Sequence, residues 1–160
     1  MSDKVTLERI ELMHPRVREK LKTEYLEINS KLPKNVRLRF AYTLRTDQEQ
    51  NDLYAIGRTK AGKIVTNAKG GQSIHNYGLA FDIVLLVDKD NNGTFETASW
   101  DLDKNFYLVV NYFKSKGWEW GGDWKSFKDY PHFQLKNPNG QSYKWQELYS
   151  LPRLNGYPKL

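Results

Sequence analysis

An α+β fold in a single domain over residues 1–160, with helices packed on a small antiparallel sheet, is what the sequence predicts. Three observations predict it. Apolar residues recur at helical spacing in two stretches, strand-like runs stand between them, and no internal repeat or interdomain linker divides the chain. A chain of 160 residues suits one core of useful size.

The elements follow in order. Val17, Leu21, Tyr25, Ile28 and Leu32 recur at steps of three and four, one face of an amphipathic helix that Pro15 opens and Pro33 closes. "VRLRFAY" alternates Val36, Leu38, Phe40 and Tyr42 with Arg37 and Arg39, a half-buried strand. Thr46 followed by Glu49 is a capping-box pattern for a second helix, "DQEQNDLYAI", stopping near Gly57. Residues 57–73 are rich in Gly and Lys and read as a long loop, a length that in a compact domain often serves function. The apolar run 79–87 is a strand and "DKDNNGT" a turn. A helix starting near Asp101 or Asp103 buries Phe106, Val109, Val110 and Phe113 before Gly117. "WEWGGDWKSFKDYPHFQL" gives a strand, a loop and a strand, "YKWQELYS" a short helix, and the tail no clear element.

Composition narrows the chemistry. Cysteine is absent, which removes disulfides, thiolate metal sites and a cysteine nucleophile. No apolar run is long enough to span a bilayer. The N-terminus "MSDKVTLERIELMHP" is charged and lacks the apolar centre of a signal peptide, so synthesis in the cytosol is expected, with any export by another route. The net charge of +6 would suit an acidic polymer, but the basic residues are scattered and form no nucleic-acid motif.

The run 79–87 contains one misfit, Asp82, which needs a partner to offset its desolvation. Only three histidines are available. His14 precedes Pro15, where helix capping or surface exposure is expected. His75 lies in the loop entering the strand, and His132 follows Pro131 in "DYPHFQL", three residues after Asp129. Two imidazoles and a carboxylate with an open fourth position form a recurrent catalytic zinc shell, and a nearby carboxylate would serve as proton acceptor. The spacing equally allows an Arg salt bridge for Asp82, with both histidines structural.

Longer motifs shift that balance. "SIHNYGLAFD" fits a Ser-x-His-x-x-Gly-x-Ala-x-Asp signature, and "DYPHFQL" an acidic-x-x-His element. With "MHPRVR", "YTLRTDQEQNDLYAIGRT" and "IVTNAKGGQSIHNYGLA", they resemble the zinc peptidases of peptidoglycan stem peptides, the D-alanyl-D-alanine carboxypeptidase and L-alanyl-D-glutamate endopeptidase family. The resemblance runs over residues 8–135 and is closest to the phage-type and bacterial endopeptidases. It implies that His75, Asp82 and His132 hold one zinc ion and that Asp129 is the general base. Arg45 would steady the scissile carbonyl oxygen. It matches Gln50 and Ser73 to substrate-contacting positions, although both could instead orient His75. Gln134 stands where many relatives carry an acid. The implied protein is a monomeric, endolysin-like enzyme acting on peptidoglycan stems after membrane permeabilisation, with no nucleic-acid partner and no membrane insertion.

Two further readings remain. "DKDNNGTFE" spaces Asp88, Asp90, Asn92 and Thr94 like the first positions of a calcium loop, although Ser99 stands where the twelfth-position acid belongs; an Asn-Gly hairpin turn is the alternative. A D-alanyl-D-alanine carboxypeptidase or a non-catalytic wall-binding zinc module would use the same metal residues.

Overall fold

The strand Ala80–Val87 organises the protein, whose structure is a computed structural model describing residues 2–160. The chain runs α1 (Lys4–Ile10), α2 (Pro15–Ser30), β1 (Val36–Tyr42), α3 (Asp47–Ala55), β2 (Ala80–Val87), β3 (Thr97–Ser99), α4 (Lys104–Ser115), β4 (Glu119–Trp120), β5 (His132–Gln134), α5 (Trp145–Ser150), β6 (Arg153–Leu154) and β7 (Tyr157–Pro158). Single 3-10 turns precede β2 (Ile74–Tyr77) and follow β4 (Gly121–Asp123). The main sheet has the order β1-β2-β5-β4, with β3 also on β2, and every pairing is antiparallel. The α+β architecture with an antiparallel sheet is therefore as the sequence predicts.

Alternation along β2 separates core from site. Phe81, Ile83 and Leu85 join Leu38, Phe40 and Phe133 in a core closed by Val17, Leu21, Tyr25 and Ile28 of α2 and by Phe106, Val109, Val110 and Phe113 of α4. Phe81 is central, stacked on Phe40 and Phe133 and edge-on to Phe113 and Trp118. With period two, Asp82 then faces the opposite side of the sheet, where its register partner across β5 is His132. This pairing brings together two residues 50 positions apart.

Three elements depart from the sequence expectation. Tyr42 is half exposed rather than in the core, because the β1–β2 register slips between Phe40 and Tyr42. Phe40 pairs with Ile83 but Tyr42 pairs with Asp82, so one extra residue turns Tyr42 to the face of Asp82. At the N-terminus α1 forms where no helix was expected. Asp3 caps it and also binds the Arg39 guanidinium through both carboxylate oxygens, 2.9 and 3.0 Å, fastening α1 to β1. The tail makes a β6–β7 hairpin through Asn155 and Gly156, both at positive φ as a two-residue Asn-Gly turn requires.

The expected caps form. His14 accepts from the Arg16 amide at the start of α2, with Pro15 in the first turn. Thr46 and Glu49 complete a capping box on α3, and Asp103 caps α4. A second, smaller cluster sits on the other side of the 3-10 turn Ile74–Tyr77. There Tyr77, Leu79 and Leu148 are buried with Tyr143, Trp145 and Leu151 around them.

Candidate active site

His75 is placed by its backbone. Ser73 Oγ accepts from the His75 amide, Asn76 Oδ1 accepts from the amides of Gly71 and Ser73, and Gly78 ends the turn at φ +70°. A Cβ on Gly78 would lie 2.6 Å from the His14 nitrogen, so glycine is needed for space as well as for φ. The Asn76 amide also donates to the Arg45 carbonyl at 2.9 Å, and the Arg45 amide donates to the His75 carbonyl at 3.1 Å. The segment before α3 and the histidine turn are thus one unit.

His75 Nε2 lies 3.2 Å and His132 Nδ1 3.0 Å from the same oxygen, Asp82 Oδ1. One ligand atom from each of the three residues falls within 4.8 Å of the others, a group able to hold a metal ion. The outer nitrogens show why a cation fits. His75 Nδ1 donates to the Thr43 carbonyl at 2.8 Å, and His132 Nε2 donates to Gln134 Oε1 at 2.8 Å. With those protons facing outward, each neutral imidazole turns a lone pair toward a carboxylate oxygen. Three acceptors converging on one buried point require a proton or a cation between them, and two imidazoles with a carboxylate are a donor set suited to zinc.

Where a proton fills that point in place of a cation, the electrostatics are those of an ion pair. Burial opposes ionisation of Asp82, but the charge and hydrogen bonds of His75 and His132 outweigh it and hold the carboxyl well below its usual range. Burial also opposes charging of His132, yet Asp82 raises its proton affinity. Asp129 moves the other way. Burial first, then the negative charge of Asp82, push its carboxyl above the ordinary value. Its Oδ2 lies 4.0 Å from His132 Nδ1, and its side chain is 49% exposed at the rim of the cavity.

Arg45 faces the same point. Its Nη2 is 4.0 Å from Asp82 Oδ2, beyond hydrogen-bonding distance, so this ion pair is loose. Nη1 donates to Gln50 Oε1 at 2.9 Å, and the guanidinium lies over the Tyr42 ring at 4.9 Å. Gln50 itself is fully buried, and its Nε2 donates to the Ala68 carbonyl at 2.9 Å. It therefore holds Arg45 and the long loop and does not reach the cavity, whereas a substrate contact or an orienting role on His75 was expected. Ser73 borders the cavity while capping the histidine turn.

The cavity measures about 510 Å³ and exposes Arg45, Ser73, His75, Asp82, Asp129 and His132. Sequence reasoning missed Thr43, because a backbone carbonyl leaves no side-chain signal. It also missed Trp124, whose ring lies 5.4 Å from that of His132 and whose Nε1 donates to Glu119 at 2.8 Å.

The calcium expectation at Asp88, Asp90, Asn92 and Thr94 is not supported. Asp88 accepts from the amides of Asn92 and Gly93, Asp90 from Asn92, and the Asn92 side-chain oxygen from the Thr94 amide. The loop thus folds on its own amides between two paired strands, β2 and β3, and Asp103 is engaged as a helix cap. Among the described residues no helix is long and apolar enough to cross a membrane.

Residues 66–135 match a family described as D-alanyl-D-alanine carboxypeptidase. The chain is 47% identical over 95 residues to the peptidoglycan L-alanyl-D-glutamate endopeptidase CwlK of Bacillus subtilis (strain 168), covering 57% of this chain and 56% of that protein. It is 35% identical over 87 residues to the L-alanyl-D-glutamate peptidase of Listeria phage A118, covering 52% of this chain and 29% of that one. The chain thus spans little more than half the length of one curated relative and under a third of the other. In fold it is similar to the Serratia marcescens L-Ala D-Glu endopeptidase ChiX, with a TM-score of 0.54 at 21% identity over 83% of this chain and 87% of that one. The resemblance read from the sequence is borne out.

Proposed function

We infer, from this likeness to the peptidoglycan stem-peptide peptidases, that the protein is a zinc-dependent endopeptidase cutting the L-alanyl-D-glutamate bond. The observation that carries the reading is the convergence of His75 Nε2, His132 Nδ1 and Asp82 Oδ1, with Asp129 and Arg45 at the border of the same cavity. The two named relatives with this activity support the choice of bond.

His75, Asp82 and His132 would hold the ion. Zinc bound there supplies a Lewis acid that polarises a peptide carbonyl and acidifies water. The remaining work falls to the chain. Asp129, its proton affinity raised by burial and by Asp82, accepts a proton from the attacking water at a carboxylate oxygen and delivers it to the departing amine. Arg45, permanently charged and braced by Gln50, faces the carbonyl oxygen as negative charge develops there. Thr43 and Gln134 fix the orientation of the two imidazoles. No side-chain nucleophile is needed. The substrate is the peptide stem of peptidoglycan, and the biological role is bacteriolytic and endolysin-like, the enzyme reaching the wall once the membrane is permeabilised.

The test is digestion of isolated peptidoglycan with and without a chelator, followed by mass spectrometry of the released fragments. Stem peptides with a new D-glutamate amino terminus, lost on chelation and restored by zinc, are expected. Loss of a terminal D-alanine alone would move the assignment to a carboxypeptidase, the activity named for the matching family. No cleavage of any wall would leave a binding module.

A further inference from the structure

The cavity does not end at Asp129. Between the long loop and the segment after β4, a second hollow of about 770 Å³ continues from it, the two sharing Val65, Thr66, Ala68, Gln72, Trp124 and Asp129. Three aromatic side chains border this outer part. Trp124 is held by its indole bond to Glu119, and Trp145 opens α5 in the small C-terminal cluster. Phe127 is 85% exposed and sits at φ +52°. A bulky non-glycine residue at that φ is a strained placement, and here the strain sets an apolar ring at the lip of the groove. Asn67, Gln72 and Lys128 add polar groups to the same lining.

We propose that this outer groove is a saccharide subsite, which takes the acetamido-sugar ring carrying the stem peptide. A pyranose has apolar C–H faces and a rim of hydroxyl and amide groups. A lining that combines aromatic side chains with an ammonium and carboxamides offers groups for both features. Adjacency to the bond is required of the sugar, an argument that rests on the endopeptidase reading, and the two ligands below separate it from the D-glutamate side of the stem, which flanks the same bond. In an L-alanyl-D-glutamate bond the scissile carbonyl belongs to the alanine that is amide-linked to the sugar's lactyl group. A single residue spans only about 3.5 Å, so the sugar must lie next to the cavity that holds the bond. A carboxypeptidase cuts at the far end of the stem and would put no sugar there. Trp145 lies outside the segment matched to the peptidase family, which ends at residue 135, so the resemblance assigns Trp145 no role.

Titration of the zinc-loaded protein with N-acetylmuramyl-L-alanine and with N-acetyl-L-alanine, followed by tryptophan fluorescence, tests the subsite. Neither ligand contains the scissile bond, so binding is read without turnover. The sugar-bearing ligand should bind about tenfold more tightly, and Phe127→Ala and Trp145→Ala should each remove most of that advantage. Phe127 is exposed, so its truncation keeps the test valid if Trp145→Ala disturbs the fold. Equal binding of the two ligands by the wild-type protein overturns the proposal. So does an equal loss for both ligands in the variants, which would make the groove a peptide site. Hydrolysis of an N-acetylmuramyl-linked stem peptide is scored separately. Its absence would count against the endopeptidase, while a sugar preference abolished by Phe127→Ala would still establish the subsite.

Discussion

At the residue scale the account turns on where protons sit. His75 and His132 each spend one nitrogen on a fixed acceptor, which leaves the other able to bind the proposed ion. Removing an outer acceptor should therefore weaken zinc binding without touching a ligand. Gln134→Ala is expected to lower zinc affinity by about 10- to 100-fold in a competition titration with a chromophoric chelator. Gln134→Glu, which restores an acceptor and adds charge, should recover it. Asp129 stands apart from the ligand atoms, so its loss should separate chemistry from metal. Asp129→Asn is expected to reduce kcat by roughly 10²- to 10⁴-fold with unchanged zinc content, measured on peptidoglycan fragments and by elemental analysis. A fall in zinc content parallel to activity would show that Asp129 acts as a ligand and not as the base.

At the scale of elements, two junctions position the site. Gly78 joins the histidine turn to β2 at positive φ and packs against the His14 backbone. Gly78→Ala should cost at least about 1–3 kcal/mol in chemical denaturation, from strain plus displacement of that backbone, and should weaken zinc binding because His75 shifts relative to Asp82. The other junction is Asp3, buried between α1 and Arg39. Burial opposes its ionisation, but the bonds from Arg39 and Thr6 outweigh it and lower its proton affinity in the folded state. A depressed folded pKa contributes stability above the unfolded value of 3.8, and that contribution is lost as pH falls below it. Asp3→Asn should therefore lower stability at neutral pH by about 1.5–3 kcal/mol, with the difference from wild type shrinking in acid below pH 4. A difference that stays constant down to strong acid would mean that the carboxylate charge does not fasten α1 to β1.

α1 and β1 also show what the sequence could and could not disclose. The helices α2, α3 and α4 were legible because their caps and apolar spacing are local signals. α1 spans barely two turns and is held by an ion pair 36 residues away, which no window of sequence contains. Likewise the bulge that turns Tyr42 toward Asp82 is a property of a strand pair and not of either strand. The β6–β7 hairpin was legible in principle from its Asn-Gly turn, but its strands of two residues are too short to show alternation.

At the scale of the whole molecule, two apolar clusters meet at β2 and the histidine turn. The large one fixes Phe81 and Phe133, and through their register it sets Asp82 beside His132. The small one, built by residues 143–151, supports the turn from below through Tyr77 and Leu79. Leu148→Ala, which opens a cavity beneath that turn, should cost about 2–5 kcal/mol and lower zinc affinity despite its distance from the ligands. Equilibrium unfolding with and without zinc measures both effects. The site was legible as residue types in motifs, since His75, Asp82 and His132 carry the resemblance. Its geometry was not, because the Asp82–His132 pairing joins segments 50 positions apart and the supports are backbone carbonyls and amides.

The most direct test of the central claim is an anomalous difference map at the zinc absorption edge, from crystals of the protein grown with zinc. A single strong peak bonded to His75 Nε2, His132 Nδ1 and the Asp82 carboxylate is the predicted result. No peak there, with both imidazoles still hydrogen-bonded to Asp82, would show that the three residues form a structural ion pair and not a metal centre.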